Sequence, residues 1–146
     1  MQETLISDFE KTFQQRGLRL TQQRLEIFKA LAGSKDHPTA EKIYAQLRTT
    51  MPTISLDTVY RNLHTLHSHG LINRVVTGQS QARFEANLSP HHHLICKICQ
   101  KITDISWQDF DNLAPPQDFN QWGDIKEKQV TLSGICKTCL KDKKSS

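Results

Sequence analysis

Apolar residues recur at helical spacing along the first half of the chain and predict four amphipathic helices. The four stripes fall within residues 3–16, 22–32, 40–50 and 56–69. A residue type that favours the helix N-cap precedes three of these helices: Thr21, Thr39 and Ser55.

An alternating, β-branched pattern follows the fourth helix and predicts a β-hairpin. Its strands are expected at residues 71–77 and 81–85, joined by a turn at 78–80. Helices followed by a hairpin are typical of a winged helix-turn-helix, in which the last helix enters the major groove of DNA.

The predicted DNA-binding surface combines residue types that reach base edges with arginines that contact phosphates. A polar helix face that only meets solvent is the alternative interpretation. The residues predicted to face DNA are Arg19, Arg24, Ser55, Thr58, Tyr60, Arg61 and Asn62.

The second half of the chain has a mixed pattern, which predicts short strands and little helix. Strands are expected at residues 93–97, 102–105 and 129–134, and one helical turn at 109–113. Residues 114–128 include two adjacent prolines and show no periodic pattern.

These elements predict an α+β fold class with two domains. An N-terminal winged helix-turn-helix domain is expected at residues 1–85, a hinge at 86–90 and a small C-terminal α/β domain at 91–146. The charged tail at 141–146 is expected to fray.

Composition leaves this picture in place and favours a globular protein of the cytoplasm. The chain has 146 residues, with 19 lysines and arginines against 15 acids and a net charge of +4, which permits nucleic-acid binding. It has neither a signal-peptide core nor an apolar run approaching the roughly 20 residues of a membrane span.

The only four cysteines form two C-x-x-C pairs, Cys96 with Cys99 and Cys136 with Cys139. Two such pairs fill the four corners of a closed, structural Zn²⁺ site. The alternatives are two disulfides, a redox dithiol or a zinc-ribbon module without DNA binding. A zinc hydrolase would need an open coordination position and a motif such as H-E-x-x-H, which the sequence lacks, so no enzyme is predicted.

Three histidines stand directly before the first cysteine pair. His91 and His93 project from one face of a strand and His92 from the other. Two imidazoles on one face are the start of a second metal site, and a solvated polar turn is the alternative.

Four ordered motifs resemble the ferric uptake regulator (Fur) family of metalloregulators. They are LRLTQQR at residues 18–24, HPTA at 37–40, DTVYRNL at 57–63 and HHHLICKIC at 91–99. The resemblance implies a homodimer that binds double-stranded operator DNA, a C-terminal dimerisation domain, a four-cysteine zinc site and a regulatory metal site.

The resemblance also implies the regulatory ligands. Imidazoles and carboxylates suit Fe²⁺ or Mn²⁺, whereas thiolates suit zinc. The implied ligands are His37, Glu85, His91, His93 and Asp104.

Asp104 stands where iron sensors of the family more often have Glu, and in this respect the chain resembles the peroxide-sensing PerR branch of the family. In that branch Fe²⁺ reacts with H₂O₂ and oxidises a ligand histidine, by position His37 or His91, which releases DNA. Glu85 stands where that branch usually has Asp, so an iron-responsive repressor of iron-uptake genes remains the alternative. A further metal site found in iron sensors is expected to be missing, because His92 and Lys128 stand at its positions.

Overall fold

A computed structural model of the chain describes residues 2–77 and 81–144, with the side chains of 7–77 and 81–142. Contacts divide the chain into two compact units, Met1–Leu88 and Ser89–Ser146. None of the helices in the described ranges is long and apolar enough to cross a membrane.

The N-terminal unit holds the four predicted helices and a short hairpin. Its elements are α1 Gln2–Gln15, α2 Gln22–Ala32, α3 Ala40–Leu47, α4 Leu56–Ser68, β1 Asn73–Val75 and β2 Arg83–Glu85. The predicted caps are confirmed, because Thr21, Thr39 and Ser55 each accept the N–H of the residue three positions later.

One apolar cluster closes this unit and draws on every helix. Its fully buried side chains include Phe13, Ile27, Ile43, Val59 and Leu63. Packing of these stripes, more than helix propensity, gives short helices such as α3 their stability.

The hairpin strands are shorter than predicted. Leu71 and Ile72 precede β1 and are buried in the apolar cluster, so their pattern reflects core packing and not strand pairing. The predicted turn at 78–80 lies outside the described residues.

The C-terminal unit is built on a small mixed sheet. Its elements are β3 His92–Cys96, β4 Ile102–Ile105, α5 Gln108–Asn112, a 3-10 helix Gln117–Gln121, β5 Thr131–Gly134 and α6 Lys137–Lys144. Strand β3 lies in the centre, antiparallel to β4 and parallel to β5. The prediction of a frayed tail was wrong for residues 141–144, which belong to α6.

This sheet buries few apolar side chains. Among the described side chains of the unit, Ile95 and Ile102 are buried together with Cys96 and Cys139. Two of these four buried side chains are therefore cysteines, whereas a larger domain would bury more apolar side chains.

Candidate metal centres and nucleic-acid interface

The four cysteines converge at one end of the C-terminal sheet. Cys96 ends β3, Cys99 follows in the turn, Cys136 lies just after β5, and Cys139 lies in the first turn of α6. All four are free thiols, and their sulfur atoms lie within 4.8 Å of one another. The Sγ atoms of Cys99 and Cys136 are 3.8 Å apart. Tetrahedral zinc with bonds of about 2.3 Å separates neighbouring sulfurs by about 3.8 Å, so this donor set fits Zn²⁺.

Hydrogen bonds within the cluster shift the pKa values of two of its thiols in opposite directions. The backbone N–H of Cys136 donates to Cys96 Sγ at 3.3 Å and lowers the pKa of Cys96 to about 6. A hydrogen bond with Cys136 and burial raise the pKa of Cys139 to about 12. Crowded sulfurs cannot all ionise without a cation among them, and a divalent ion supplies that charge.

A second set of side chains with metal-ligand chemistry lies near the start of β3: His91 just before the strand, His93 within it, and Asp104 of β4. His93 pairs with Asp104 of β4 in the antiparallel register. Asp104 Oδ1 lies 3.3 Å from His93 Nε2 and 3.6 Å from His91 Nε2. The two imidazole rings meet edge to face with centroids 4.7 Å apart. Both histidine side chains are almost fully buried, whereas that of Asp104 is 40% exposed.

The backbone sets the tautomer of His91. Its Nδ1 lies 2.5 Å from the carbonyl oxygen of Ser89, so Nδ1–H donates and Nε2 keeps the lone pair. Ligand atoms about 2.1 Å from one ion are separated by about 3.0 to 3.4 Å, depending on the coordination angle. The 3.3 Å between His93 Nε2 and Asp104 Oδ1 falls within this range, and the 3.6 Å between His91 Nε2 and Asp104 Oδ1 is about 0.2 Å longer. The donor set of imidazole nitrogens and a carboxylate oxygen suits a first-row divalent metal.

The N-terminal unit carries a third group of the same chemistry. His37 Nε2 lies 2.8 Å from Glu85 Oε2, and both side chains are only 6% exposed. His37 has a positive φ of 49°, which is uncommon outside glycine. Arg83 stabilises this backbone by donating to the carbonyl oxygens of Asp36 and His37, and burial lowers the pKa of Arg83.

His92 occupies the opposite face of β3, as predicted. Its imidazole is buried and lies 2.6 Å from Asp111 of α5. The ammonium group of Lys128 donates to the carbonyl oxygens of Phe110 and Leu113. His92 and Lys128, which stand at the positions of the further metal site of iron sensors, therefore bond to other protein groups of the C-terminal unit.

Helix α4 presents the side chains that were predicted to read DNA bases. Arg61 and Asp57 are each more than 70% exposed and form an ion pair at 3.2 Å. The hydroxyl of Tyr60 donates to Glu41 of α3, and this hydrogen bond raises the pKa of Tyr60.

The remaining predicted DNA contacts take part in hydrogen bonds within the N-terminal unit. Arg24 Nε donates to Asn62 Oδ1 at 3.2 Å, and a second Arg24 nitrogen donates to the carbonyl of Arg19. Ser55 and Thr58 bond to each other through their hydroxyls at 2.8 Å at the start of α4. Their roles on DNA stay predictions.

Comparison with known proteins extends the resemblance beyond the four motifs. The model of the ferric uptake regulator family matches residues 15–132, well over half of the chain. The chain belongs to the ferric uptake regulator family.

Two relatives within the ferric uptake regulator family are named peroxide-responsive repressor PerR. The protein of Staphylococcus epidermidis is 33% identical over 126 residues, which cover 86% of this chain and 84% of that one. The protein of Staphylococcus aureus (strain Mu50) is 33% identical over 128 residues, covering 88% and 86%.

Solved structures of ferric uptake regulators share the fold. The Fur protein of Helicobacter pylori, described with three functional metal-binding sites, gives a TM-score of 0.76 at 24% identity over 96% of this chain and 94% of that one. The iron-containing regulator of Francisella tularensis gives 0.73 at 26% identity over 85% and 96%. The predicted family and fold class are therefore confirmed.

Sequence reasoning missed several partners of the family motifs. Arg83 supports the backbone of His37, Glu41 bonds to Tyr60, and Asp111 bonds to His92. Each contact joins elements at least 19 residues apart. Short motifs carry no signal of such pairs, because the pairing depends on how the elements pack.

Proposed function

We propose that this protein is a metal-dependent, DNA-binding transcriptional repressor that responds to peroxide. The observation that carries the proposal is the separation of ligand chemistries: four thiols form one cluster, while imidazoles and carboxylates gather apart from it. The PerR relatives at 33% identity support the peroxide-responsive form.

The thiol cluster is assigned to a structural zinc ion. Four sulfur ligands complete a tetrahedral shell and leave no position for substrate or activated water. The proposal therefore includes no enzymatic activity. Zinc here stabilises a unit that buries few apolar side chains.

The regulatory ion, Fe²⁺ or Mn²⁺, is assigned to the imidazole and carboxylate ligands. His91, His93 and Asp104 belong to one unit, and His37 and Glu85 to the other. Neither group alone offers a full octahedral set. An ion that takes ligands from both groups stabilises one arrangement of the units only as far as it binds that arrangement more tightly.

Peroxide sensing follows from the chemistry that bound Fe²⁺ supplies to a neighbouring imidazole. Overall, one oxygen of H₂O₂ enters a ring C–H bond of His37 or His91 and the other leaves as water, so two electrons pass from the ring to peroxide. Oxidation alters a ligand and weakens the metal site. The metal-stabilised arrangement, and DNA binding with it, is then lost.

Operator recognition is assigned to helix α4, which enters the major groove while the hairpin lies beside it. Tyr60 and Arg61 have the exposure that base contact requires. The protein acts as a homodimer formed through its C-terminal unit, and two-fold symmetry then predicts a palindromic operator. A repressor with reduced thiols and chromosomal DNA as its target works in the cytoplasm.

The second candidate is an iron-responsive repressor of iron-uptake genes. It is favoured by Glu85, which stands where peroxide sensors of the family usually have Asp. In this case DNA occupancy follows the iron level, and H₂O₂ leaves it unchanged.

The deciding experiment measures DNA binding with each metal, with and without H₂O₂. DNA selected from a random pool by the Mn²⁺-loaded protein serves as operator. We expect low H₂O₂ to release the Fe²⁺ form only and to add one oxygen to a peptide that contains His37 or His91. An equal response of both metal forms contradicts peroxide sensing by iron-catalysed oxidation of a ligand histidine, and no response of either favours the iron sensor.

A matched pair of variants tests the assigned DNA surface. Arg61→Ala is expected to weaken operator binding by about 10- to 100-fold, whereas Asp57→Ala, which removes its exposed ionic partner, is not. Equal affinity of Arg61→Ala and the unmodified protein would place the base contacts elsewhere.

A further inference from the structure

His92 is held at both ends of its ring by different segments of the C-terminal unit. Its Nδ1 accepts the backbone N–H of Val130 at 3.1 Å, and its Nε2 lies 2.6 Å from Asp111 Oδ1. A neutral imidazole has one donor and one acceptor nitrogen. Because Nδ1 accepts, Nε2 carries the hydrogen and donates it to Asp111.

The partner of His92 is itself held in place. Asp111 lies in the short helix α5, at whose end the carbonyl of Phe110 accepts the backbone N–H of Leu113. The ammonium group of Lys128 adds two hydrogen bonds at this end, because it donates to the carbonyls of Phe110 and Leu113. It also lies 4.8 Å from the centre of the Phe110 ring.

The Phe110 ring completes the contact with β3. It meets the imidazole of His92 edge to face, with centroids 5.0 Å apart and planes at 86°. Lys128, α5 and His92 thus form a continuous chain of contacts that ends on the central strand of the sheet.

The location of His92 gives this network a consequence for metal binding. Side chains alternate across a strand, so His92 and its two neighbours turn together when β3 rotates about its axis. The neighbours are His91 and His93, whose Nε2 atoms lie within 3.6 Å of Asp104. A binding site tolerates displacements of only about 0.5 Å in its ligands.

We propose that the pair of His92 and Asp111 holds β3 in the rotation that aims His93, and His91 just before the strand, at the regulatory metal. The pair comprises positioning residues, since neither binds the ion. This inference rests on the proposed regulatory site. It also gives a role to α5 and Lys128, neither of which contributes a proposed metal ligand.

The test measures Mn²⁺ affinity in the full-length, zinc-loaded protein, from the electron paramagnetic resonance signal of unbound Mn²⁺. Asp111→Ala is expected to weaken binding about tenfold, at the low end of the losses seen when outer-shell partners are removed. Asp111→Asn keeps an acceptor oxygen and is expected to stay within about twofold of the unmodified protein. Asp109→Ala, which removes a neighbouring acid of the same helix, is the matched control and should bind normally.

A second measurement is independent of the variants. Nitrogen-15 spectra of the zinc-loaded protein without Mn²⁺ should show His92 as the neutral Nε2–H tautomer. An Nδ1–H tautomer overturns the proposal. So does wild-type affinity in Asp111→Ala, or an Asp111→Asn variant as weak as the alanine variant.

Two further outcomes remain decisive. If Asp111→Ala loses its zinc, the test uses Lys128→Met instead, which removes the ammonium group and keeps the aliphatic stem. A several-fold weaker Mn²⁺ affinity of this variant supports the proposal, and unchanged affinity overturns it. If the unmodified protein binds no Mn²⁺, the proposed function fails and the inference with it. Binding by the unmodified protein with no effect of the variants refutes the inference alone.

Discussion

The thiol cluster and the imidazole–carboxylate ligands differ in how the chain distributes them. All four thiols belong to the C-terminal unit and come from segments that its sheet and α6 already bring together. The proposed regulatory ligands belong to both units, with His37 and Glu85 in one and Asp104 in the other. The thiols thus come from one unit, whereas the proposed regulatory ligands come from two.

This difference assigns separate thermodynamic roles to the two metals. An ion whose ligands all lie in one unit adds its binding free energy to the folding of that unit. An ion whose ligands belong to two units adds its binding free energy to one arrangement of them. Stability is therefore expected to depend on zinc, and DNA binding on the regulatory metal.

The largest effect is expected from breaking the thiol cluster. Cys136→Ser removes one zinc ligand, while the backbone N–H of residue 136 that donates to Cys96 Sγ remains. Because structural zinc contributes roughly 10–16 kcal/mol of apparent binding free energy in small domains, we expect loss of zinc and of the C-terminal fold. Zinc content and circular dichroism measure both.

Ser133→Ala, an exposed residue of β5, is the control and should keep one zinc per chain. A Cys136→Ser protein that keeps its fold and its dimer would show that the cluster is not structural.

Acid is expected to weaken zinc binding, because protons compete for the thiolates. The pKa of Cys139 is raised to about 12, so this thiol must release a proton throughout the neutral range. The pKa of Cys96 is lowered to about 6, so it competes only below that pH. Zinc affinity should therefore fall about tenfold per pH unit for each protonated thiol, at least a hundredfold between about pH 8 and 6, and more steeply below.

Competition with a chromophoric chelator across this pH range measures the affinity. An affinity that is independent of pH contradicts ligation by thiolates.

The two metal sets also differ in how far they could be predicted. The cysteine set is visible in the sequence, because C-x-x-C spacing places two sulfurs in one turn. The apolar stripes and capping residues likewise predict the four N-terminal helices, since both signals are local. The imidazole–carboxylate set depends on contacts between residues far apart in the sequence. Arg83, for example, donates to the carbonyl of His37, 46 residues away. The strands were predicted too long near Leu71, because a buried residue can be apolar without pairing.

Removing the exposed carboxylate of the second set should leave stability almost unchanged and weaken the regulatory metal strongly. Asp104→Ala deletes the oxygen that faces both His91 and His93. We expect Mn²⁺ affinity to fall about a hundredfold, about 3 kcal/mol, while one zinc remains bound. Asp124→Ala, which removes an acid paired with Lys126, is the matched control. Loss of zinc in the Asp104 variant would mean that the two metal sets are not separate.

The smallest and sharpest effect is expected at Glu85, the carboxylate of the N-terminal unit. Glu85→Gln keeps an oxygen beside His37 Nε2 but removes the negative charge that a divalent cation favours. We expect Mn²⁺ affinity to fall about tenfold. Zinc content and melting temperature should stay nearly unchanged, because the amide oxygen keeps the hydrogen bond to His37, which contributes about 1 kcal/mol. The same titration applied to Asp104→Ala and to the double variant measures whether the two carboxylates share an ion. Losses smaller in the double variant than the sum of the single ones indicate a common ion, because removing either ligand already weakens it. Losses that simply add, with Mn²⁺ still bound, would assign the two carboxylates to separate ions, and the regulatory metal would then act within each unit alone.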